Sequence, residues 1–395
     1  MKILAVCQYY YPENVTITKI CEQLVKMGHE VDVLTAKPNY GYGKILPEYK
    51  HVKQENINGV NVFRTKIIAR KKSRLSIIFN YLSFWKNSKK WIRKCKKQYD
   101  VVYSMSLSPV TILAAGNLYK KMHNVPHVVH CVDLWPESTI ITHAVKKNSL
   151  IYKILYKWSK KLYSDTDEIM IGSPSFKEYF IKELHINKFE FPFVPQPSLV
   201  EDFNNIVKYN FNNNSFNITY CGNLGLIQQI PEIIDLMNLL KDQNINLNVI
   251  GMGPLTSYLE TAIKEKQMTN VKYFGPMAAK KAAPYLLGSD ALLVSLKNNG
   301  FVGKTIPNKL MMYLAASKPI IGYIDGDGKD VISSIKGNVA SNDLNTLANE
   351  IKKLSTLDKT TLNSVGKDNK IYYENNFSLK TISKQIENIL FKKTH

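Results

Sequence analysis

Short apolar runs alternate with longer stretches of helical periodicity through the first half of the chain. After the first run, apolar residues recur at helical spacing from Ile17 to Val25, and Gly28 is expected to end that helix. Seven runs are predicted as strands: KILAVCQ, EVDVLTA, VNVFRTKII, DVVYSMS, PHVVHCVD, EIMIGS and FEFPFVPQP. Strands that alternate with helices predict βαβ units around a parallel sheet.

The same alternation restarts in the second half. Its predicted strands are FNITYCGNLG, NLNVIGMGP, NVKYFGP, DALLVSL and KPIIGYI, each followed by a helical pattern. The chain is therefore predicted to be an α/β protein of two doubly wound, Rossmann-like domains, residues 1–197 and 198–376. A last amphipathic helix, within residues 377–395, is compatible with either domain, including a return to the first.

Doubly wound domains bind ligands at the carboxyl ends of their strands. The stretch HVVHCVDLWPES ends an apolar strand with Asp133 and Trp135, so both are predicted to line a central cleft between the two domains. Asp133 would face a substrate and Trp135 would form a rigid wall. The alternative is that Asp133 caps the helix that follows.

Glycine-containing turns follow two strands of the second half. Gly222 and Gly225 in YCGNLGLIQQIPE, and Gly251 and Gly253 in VIGMGP, let backbone amides approach a ligand where a helix begins. Such turns suit a diphosphate, although each one alone also fits an ordinary strand–helix connection. Neither is a P-loop, because no Lys-Ser/Thr pair follows.

The stretch GKTIPNKLMMYLAASKP sets Lys304, Asn308 and Lys309 around Pro307, a residue suited to a helix start. A lysine at the positive end of a helix is unfavourable unless it faces an anion, so Lys309 is predicted to contact phosphate. The nearby DGDGKD resembles a calcium loop but lacks the glycine and the final acid that such a loop needs. It is predicted to be a surface loop.

The charge balance narrows the choice of partners. A formal net charge of +21 predicts an anionic partner such as phosphorylated substrates, membrane lipid or nucleic acid, with a solvated lysine-rich surface as the alternative. The five cysteines have no metal or C-x-x-C spacing, which indicates reduced thiols. No signal-peptide pattern and no membrane-spanning apolar segment is found, which predicts a cytoplasmic protein.

Two stretches of the first half are both basic and apolar. Residues 70–97 contain eleven Lys or Arg and no acid, with aliphatic and aromatic residues at near-helical spacing, and residues 146–163 repeat the pattern. This is typical of helices in an anionic membrane interface; the alternative is two core helices with solvated basic faces. Nucleic acid is disfavoured because no recognition motif is present. The predicted membrane contacts are Lys71, Lys72, Arg74, Phe84, Trp85, Trp91, Lys157 and Trp158.

Four motifs, in order, resemble one known family. They are YYYPENVTITKICEQLVKMGHEVDVLTAKPNYGYGKI, VDLWPES, YCGNLGLIQQI and IPNKLMMYLAASKP. Together they are similar to GT-B glycosyltransferases of family 4, above all the bacterial amino-sugar transferases of the WbuB and colanic-acid type. The resemblance implies retaining transfer of an N-acetylated amino sugar from a UDP-sugar to a polyprenyl-diphosphate-linked acceptor. It further implies work at the inner face of the plasma membrane, in capsule, O-antigen or slime synthesis, without a metal or other cofactor.

The resemblance also implies residue roles. Asp133 and Lys309 would be catalytic, with Asp133 beside the sugar or the acceptor hydroxyl and Lys309 on the diphosphate. With the turns described above, the predicted nucleotide-sugar site comprises Gly222, Asn223, Gly225, Gln228, Gly251, Gly253, Phe274 (facing the uracil), Lys304, Asn308 and Lys309. The acceptor side is predicted to comprise Glu13, Thr18, Asn39, Tyr40 and Trp135.

The sequence departs from the family pattern at three positions. Two glutamates are typical eight positions apart in the last nucleotide helix, where this chain has Lys304 and Met312, and a thioether is only a weak hydrogen-bond acceptor. A histidine is common where this chain has Val132. Two alternatives are therefore kept: a non-enzymatic partner of another transferase, and a UDP-sugar epimerase, which would have little need for basic aromatic helices.

Overall fold

The computed structural model describes residues 1–71, 73–141, 144–211, 214–298 and 300–395. Internal contacts divide the chain into two units. The first domain consists of Met1–Gln196 together with the C-terminal segment Leu379–His395, and the second domain consists of Pro197–Ser378. The chain therefore leaves the first domain once and returns to it at its end.

The first domain is built on a seven-stranded sheet in the order β3-β4-β2-β1-β5-β6-β7. The strands are β1 (Lys2–Val6), β2 (Glu30–Ala36), β3 (Gln54–Ile57), β4 (Val60–Thr65), β5 (Val101–Ser106), β6 (His127–Cys131) and β7 (Glu168–Ile171). All neighbours are parallel except β3 and β4, which form a hairpin. The order reverses between β1 and β5, so the loops after these two strands diverge and leave a crevice where ligands bind in such folds.

Helices cover both faces of this sheet. They are α1 (Thr16–Lys26), α2 (Arg74–Ile92), α3 (Leu113–His123), α4 (Glu137–Ile141), α5 (Leu150–Ser164) and α6 (Ser175–Glu178), with 3₁₀ helices at Pro47–Tyr49 and Val110–Ile112 and a π-helix at Tyr179–Glu183. The C-terminal helix α15 (Leu379–Thr394) buries Ile382, Ile386 and Leu390 in the same core. Glu387 of this helix lies 2.7 Å from the ring of His29, which anchors its exposed side.

The second domain has a six-stranded parallel sheet in the order β10-β9-β8-β11-β12-β13. Its strands are β8 (Phe216–Cys221), β9 (Ile245–Ile250), β10 (Val271–Tyr273), β11 (Ala291–Ser295), β12 (Ile320–Tyr323) and β13 (Val339–Ser341). Its helices are α7 (Ile230–Leu239), α8 (Thr256–Glu265), α9 (Ala279–Gly288), α10 (Gly300–Gly303), α11 (Asn308–Ala315), α12 (Gly326–Ser333), α13 (Leu344–Ser355) and α14 (Lys359–Asn376). The strand order reverses between β8 and β11, so the crevice opens beside the turn that follows β8.

Two sequence predictions about local structure are wrong, and two short features were missed. FEFPFVPQP is not a strand, because its prolines interrupt a ladder and only an isolated bridge joins Phe193 to Ile171. The β3–β4 hairpin was missed, although Asn58 and Gly59, both at positive φ, form the Asn-Gly turn typical of hairpins. DGDGKD is not a surface loop: it begins α12, whose N-cap Asp325 accepts a hydrogen bond from the next amide. The short strand β13 was also missed.

Two histidines of β6 are completely buried in the first domain. His127 contacts Asn117 and Ser104, and His130 lies 2.7 Å from the Val194 carbonyl oxygen. Burial penalises the charged imidazole and lowers the pKa of His127 to about 3 and that of His130 to about 4. Both rings are therefore neutral near pH 7 and act as hydrogen-bonded core residues. The five cysteines are free thiols, four of them buried.

These histidines predict loss of first-domain stability in acid. Below pH 6.5 the unfolded chain protonates both rings while the folded domain keeps them neutral, so folding stability falls as the pH decreases toward 4. The expected slope is about 1.4 kcal/mol per pH unit for each histidine. All four tryptophans lie within residues 85–158, so urea unfolding followed by tryptophan fluorescence reports on this domain alone.

The test protein carries both His127→Gln and His130→Gln. The control carries His51→Gln, at an exposed position of the same domain. The buried pair should flatten the pH dependence between 6.5 and 4, whatever it does to stability at neutral pH. The His51 variant should keep the wild-type slope. Equal slopes in all three proteins would contradict the burial argument.

Candidate functional site

The two glycine turns of the second domain are in backbone contact with each other. The Gly222 amide donates to the Ile250 carbonyl at 2.9 Å, and the Leu224 amide donates to the Met252 carbonyl at 3.0 Å. A Cβ atom on Gly251 would lie 1.8 Å from the Gly222 carbonyl oxygen, and Gly251 has φ +140°. No side chain fits there, so the two turns form one rigid ledge at the carboxyl ends of β8 and β9.

The ledge presents amides that are available to a ligand. Within the residues that the structure describes, the amides of Asn223 and Gly225 donate no hydrogen bond. The Tyr220 hydroxyl donates to the Asn223 carbonyl at 2.6 Å and orients that peptide. The Asn223 side chain lies 3.4 Å from the Gln228 carboxamide oxygen, across Gly225. Unpaired amides in a turn that precedes a helix are a common arrangement for holding phosphate.

Lys309 lies directly beside this ledge. Its ammonium donates to the Tyr220 hydroxyl at 2.5 Å and is 3.8 Å from the centroid of the Tyr220 ring. It would also be 3.2 Å from a Cβ on Gly222. Burial lowers the pKa of Lys309 to about 7, and no carboxylate lies beside it in the described chain. An anion at this point would supply the missing counter-charge.

Helix α11 holds Lys309 in place through a buried tyrosine. The Tyr313 hydroxyl accepts from the Cys221 amide at 2.7 Å and donates to the Cys221 carbonyl at 3.1 Å. Tyr313 is one helical turn after Lys309, so both side chains point from the same face of α11 to the end of β8. The sequence analysis missed Tyr313. Its only signal was the i, i+4 spacing from Lys309.

The other predicted donor residues lie near the same edge with different exposure. Asn308 is exposed at the first position of α11, and Lys304 is half-buried with its carbonyl accepting from the Asp327 amide at 2.8 Å. Met312 packs against the apolar core of this domain. The ring of Phe274 packs edge-on to Tyr285, with centroids 5.1 Å apart, inside an aromatic cluster. Its backbone follows β10.

In the first domain, Glu13 organises the loop that follows β2. Its Oε1 accepts from the amides of Asn39 and Tyr40 at 2.9 and 2.6 Å, and its Oε2 accepts from the Tyr10 amide at 3.3 Å. Burial raises the pKa of this carboxyl group, and the three amides oppose that effect. Thr18 has a similar role, because its hydroxyl accepts from the Tyr11 amide at 3.2 Å. Both residues shape loops at the carboxyl edge of the sheet.

A buried polar cluster extends from Asn39 to helix α2. The Asn39 carboxamide oxygen accepts from Asn80 at 2.9 Å and from the Arg70 amide at 3.0 Å. Asn80 in turn accepts from Gln8 at 2.7 Å. The sequence analysis missed Gln8, Asn80 and Arg70, because nothing in the local pattern shows that α2 lies beside the end of β1.

Arg70 lies among three tyrosines at this edge. Its guanidinium donates to the hydroxyls of Tyr9 and Tyr81 at 3.3 and 3.2 Å. It also lies 5.1 Å from the centroid of the Tyr40 ring, which is 49% exposed. Tyr40, predicted on the acceptor side, is thus part of an arginine–tyrosine group.

Asp133 follows β6 at the same edge. Burial raises the pKa of its carboxyl group to about 6, although the Leu134 amide and the Ser138 hydroxyl both hydrogen-bond to it. The Ser138 contact joins Asp133 to a side chain of α4 without capping its backbone, because the Ser138 amide donates to the Leu134 carbonyl at 2.9 Å. Trp135 is buried and its indole nitrogen has no hydrogen-bond partner among the described residues. It forms a wall of the fold and is not an open contact surface.

The predicted membrane contacts fall into two groups. The prediction that Phe84 contacts the membrane is wrong, because its side chain is completely buried on the core face of α2. Trp91 packs on Phe63 with centroids 5.0 Å apart, and Trp85 packs edge-on against Trp158 at 5.8 Å, so these rings are largely used inside the domain. The second group comprises Lys71, Arg74 and Lys157, which are exposed, and Lys72, which lies outside the described residues.

The exposed apolar surface is mostly aliphatic, and its residues differ from the aromatic ones predicted as membrane contacts. On α2 it is formed by four side chains at i, i+3, i+4 and i+7: Leu75, Ile78, Phe79 and Leu82. On α5 it is formed by Leu150, Ile151 and Ile154. We call these seven residues the apolar stripe. The Trp85–Trp158 contact joins the two helices that carry it. In the described part of the chain no helix is long and apolar enough to cross a membrane.

Family models match both domains. The model of Glycosyltransferase Family 4 matches residues 14–192, and that of Glycosyl transferases group 1 matches residues 215–356, so the two together span most of the chain. The chain belongs to the family 4 glycosyltransferases. Among the residues that the structure describes, no group of three or more His, Cys, Asp or Glu side chains is arranged to hold a metal ion.

Two curated proteins are similar to this family 4 glycosyltransferase. The probable glycosyltransferase WbjE of Pseudomonas aeruginosa is 26% identical over 67% of this chain and 68% of its own length. The putative colanic acid biosynthesis glycosyl transferase WcaI of Escherichia coli is 22% identical over 80% of this chain and 81% of its own length.

Solved structures share the fold of this family 4 glycosyltransferase. HepE of Anabaena, crystallised in complex with UDP, has a TM-score of 0.69 over 99% of this chain and all of its own, at 14% identity. With its two α/β domains, the fold is GT-B, as the sequence analysis predicted.

The surroundings of Lys309 predict an unusual titration. In protein carrying ¹³C-labelled lysine, its Cε resonance should titrate near pH 7, because burial disfavours the ammonium, whereas exposed lysines titrate above pH 10. Lys309→Arg identifies the resonance by removing it, and Lys280→Arg, at an exposed site, is the matched control. A Lys309 midpoint above pH 10 would contradict the enclosed environment described here.

Proposed function

We propose that this family 4 glycosyltransferase transfers an N-acetylated amino sugar, with retention, from a UDP-sugar to a polyprenyl-diphosphate-linked saccharide in bacterial surface-polysaccharide synthesis. The observation that carries the proposal is the anion site of the second domain, formed by Lys309 and the unpaired amides of Asn223 and Gly225. The similarity to WcaI, a putative colanic acid biosynthesis glycosyl transferase, supports a polysaccharide role, and the four motifs of the sequence analysis favour the WbuB and colanic-acid subgroup.

On the donor side, the proposed role of the site is to stabilise negative charge. Breaking the bond between sugar and diphosphate leaves negative charge on the departing UDP. Fixed amides and the Lys309 ammonium would stabilise that charge, and since they are already in place they need little reorganisation. The UDP complex of HepE, which has the same fold, supports UDP as the nucleotide. Because the pKa of Lys309 is about 7 in the free protein, arrival of the diphosphate would favour its protonated form.

Asp133 is proposed to face the sugar or the acceptor hydroxyl. Its pKa of about 6 keeps the carboxylate mostly ionised at neutral pH while allowing proton exchange. It would orient the acceptor hydroxyl or stabilise positive charge that develops on the sugar. A phosphate oxygen of the donor would receive the hydroxyl proton. No step requires a metal or a further cofactor.

The apolar stripe is proposed to hold the enzyme at the inner face of the plasma membrane. Seven exposed aliphatic or aromatic side chains on α2 and α5 are flanked by exposed Lys71, Arg74 and Lys157. Apolar insertion combined with basic flanks is the pattern of peripheral binding to anionic lipid. This would place the enzyme where a lipid-linked acceptor is found.

The transferase is tested by UDP release with a panel of UDP-N-acetylhexosamines, with and without undecaprenyl-diphosphate-linked GlcNAc in detergent. We expect acceptor-dependent release with one donor, and Lys309→Ala should lower turnover at least 100-fold, because the leaving diphosphate loses its cation. Lys280→Ala is the control. Turnover unchanged in Lys309→Ala would remove Lys309 from the donor site.

Two other outcomes would replace the proposal. Conversion of the UDP-sugar at full rate without acceptor would indicate the epimerase. Absence of both transfer and UDP binding across the panel would indicate the non-enzymatic partner, for which Lys304 and Met312 are the sequence support.

The stripe predicts a specific membrane phenotype. Leu75→Glu with Phe79→Glu should weaken binding to phosphatidylglycerol-containing vesicles at least tenfold, since burying each side chain contributes about 1.5–3 kcal/mol. Co-sedimentation measures this, and UDP affinity checks that the protein is folded. Val207→Glu, 86% exposed in the second domain, is the matched control. Equal binding by wild type and the stripe variant would show that membrane attachment lies elsewhere.

A further inference from the structure

Arg70 is a partly buried cation without a counter-ion. In the part of the chain that the structure describes, no carboxylate lies within 4 Å of its guanidinium. Arg64, in the same domain, shows how this fold pairs a buried arginine: it lies against the Glu55 carboxylate and donates to the Tyr11 and Ala36 carbonyls. Arg70 instead has tyrosine hydroxyls and ring faces, which leave its positive charge uncompensated.

The position of Arg70 is fixed by its neighbours. Its amide donates to the buried Asn39 carboxamide at 3.0 Å, and its guanidinium is held by Tyr9 and Tyr81. Tyr9 packs against Tyr40 with ring centroids 4.8 Å apart. A preorganised guanidinium loses little side-chain entropy when it binds, and its planar donors match two phosphate oxygens at once.

Tyr81 connects this group both to the apolar stripe and to Asp133. It belongs to α2, between the exposed side chains of Phe79 and Leu82. At its other end, burial raises the pKa of the Tyr81 hydroxyl and the nearby Asp133 carboxylate adds to that effect, with Ser108 also close to the hydroxyl. Tyr81 therefore links Arg70 both to the helix proposed to meet lipid and to the neighbourhood of the carboxylate proposed to meet the acceptor sugar.

We propose that Arg70, with Tyr9, Tyr40 and Tyr81, binds a phosphate of the diphosphate in the lipid-linked acceptor; this inference rests on the proposed function. The order of the groups in such an acceptor is lipid, diphosphate, sugar. In the first domain, Arg70 is held by Tyr81, which belongs to the helix that carries the apolar stripe and lies near Asp133. Arg70 is thus a specificity residue that selects acceptors with a charged linkage and sets how far the sugar lies from the membrane.

The test begins with binding alone, so that it does not depend on transfer. Farnesyl diphosphate is the probe, farnesol is its uncharged counterpart, and calorimetry is the measurement. Wild type should bind the diphosphate, and Arg70→Gln should weaken that binding at least tenfold. Arg70→Lys should be intermediate, because it keeps the charge but loses the paired donors. Arg93→Gln, at the exposed end of α2, removes the same charge and should bind as wild type.

Two further measurements separate the sources of the phosphate and the causes of failure. Arg70→Gln should bind phosphatidylglycerol vesicles as wild type does; weaker vesicle binding with unchanged farnesyl diphosphate binding would assign Arg70 to lipid headgroups and overturn the proposal. UDP affinity and the thermal transition check the fold of each variant. In transfer assays the acceptor KM should rise while the UDP-sugar KM stays constant.

The failure of the inference and of the proposed function are distinguishable. Acceptor-dependent transfer that is insensitive to Arg70→Gln would refute the site and keep the function. Arg70-dependent binding of farnesyl diphosphate without any transfer would keep the site and refute the function. Equal affinity of wild type and Arg70→Gln for farnesyl diphosphate overturns the inference.

Discussion

Each domain holds a positive charge at the carboxyl edge of its sheet, against tyrosine and without a carboxylate beside it in the described chain. In the second domain the cation is Lys309 on Tyr220, and in the first it is Arg70 among Tyr9, Tyr40 and Tyr81. A partly buried cation costs free energy, and a ring face offsets only part of that cost. An anionic ligand would remove the remaining cost on binding, which is why phosphate is the ligand proposed for both sites.

The backbone around these cations is rigid for identifiable reasons. The contact between Gly222 and Gly251 leaves no space for a side chain, and Tyr313 fixes α11 to the end of β8 with two hydrogen bonds. Glu13 has an equivalent role in the first domain, because its carboxylate accepts hydrogen bonds from three backbone amides. Fixed dipoles and charges of this kind stabilise charge that develops during a reaction without having to reorganise. The function proposed here uses that property on the donor side.

The sequence predicted most of the fold because βαβ units have strong local signals. Apolar runs and helical periodicity placed eleven of the strands and separated two doubly wound sheets. The failures have local causes. The prolines of FEFPFVPQP prevent a continuous strand there, and β3 and β13 were missed because they are short edge strands with little apolar pattern. The membrane assignment failed at Phe84 because aromatic content was treated as exposure, whereas large rings are the side chains that pack best in a core.

The candidate site divides in the same way. The glycine turns, Asp133 and Lys309 could be found from sequence, since each follows a strand or opens a helix, and within each domain such positions converge at the carboxyl edge of the sheet. Gln8, Asn80, Arg70 and Tyr313 could not, because their partners are distant in sequence and only packing shows the pairs.

By itself, the sequence determined the two-domain α/β architecture and the residues that end its strands, since both depend on local periodicity. Only the tertiary structure decided which cations lack a counter-ion and which apolar side chains remain exposed, because charge compensation and burial depend on neighbours that the chain brings together on folding.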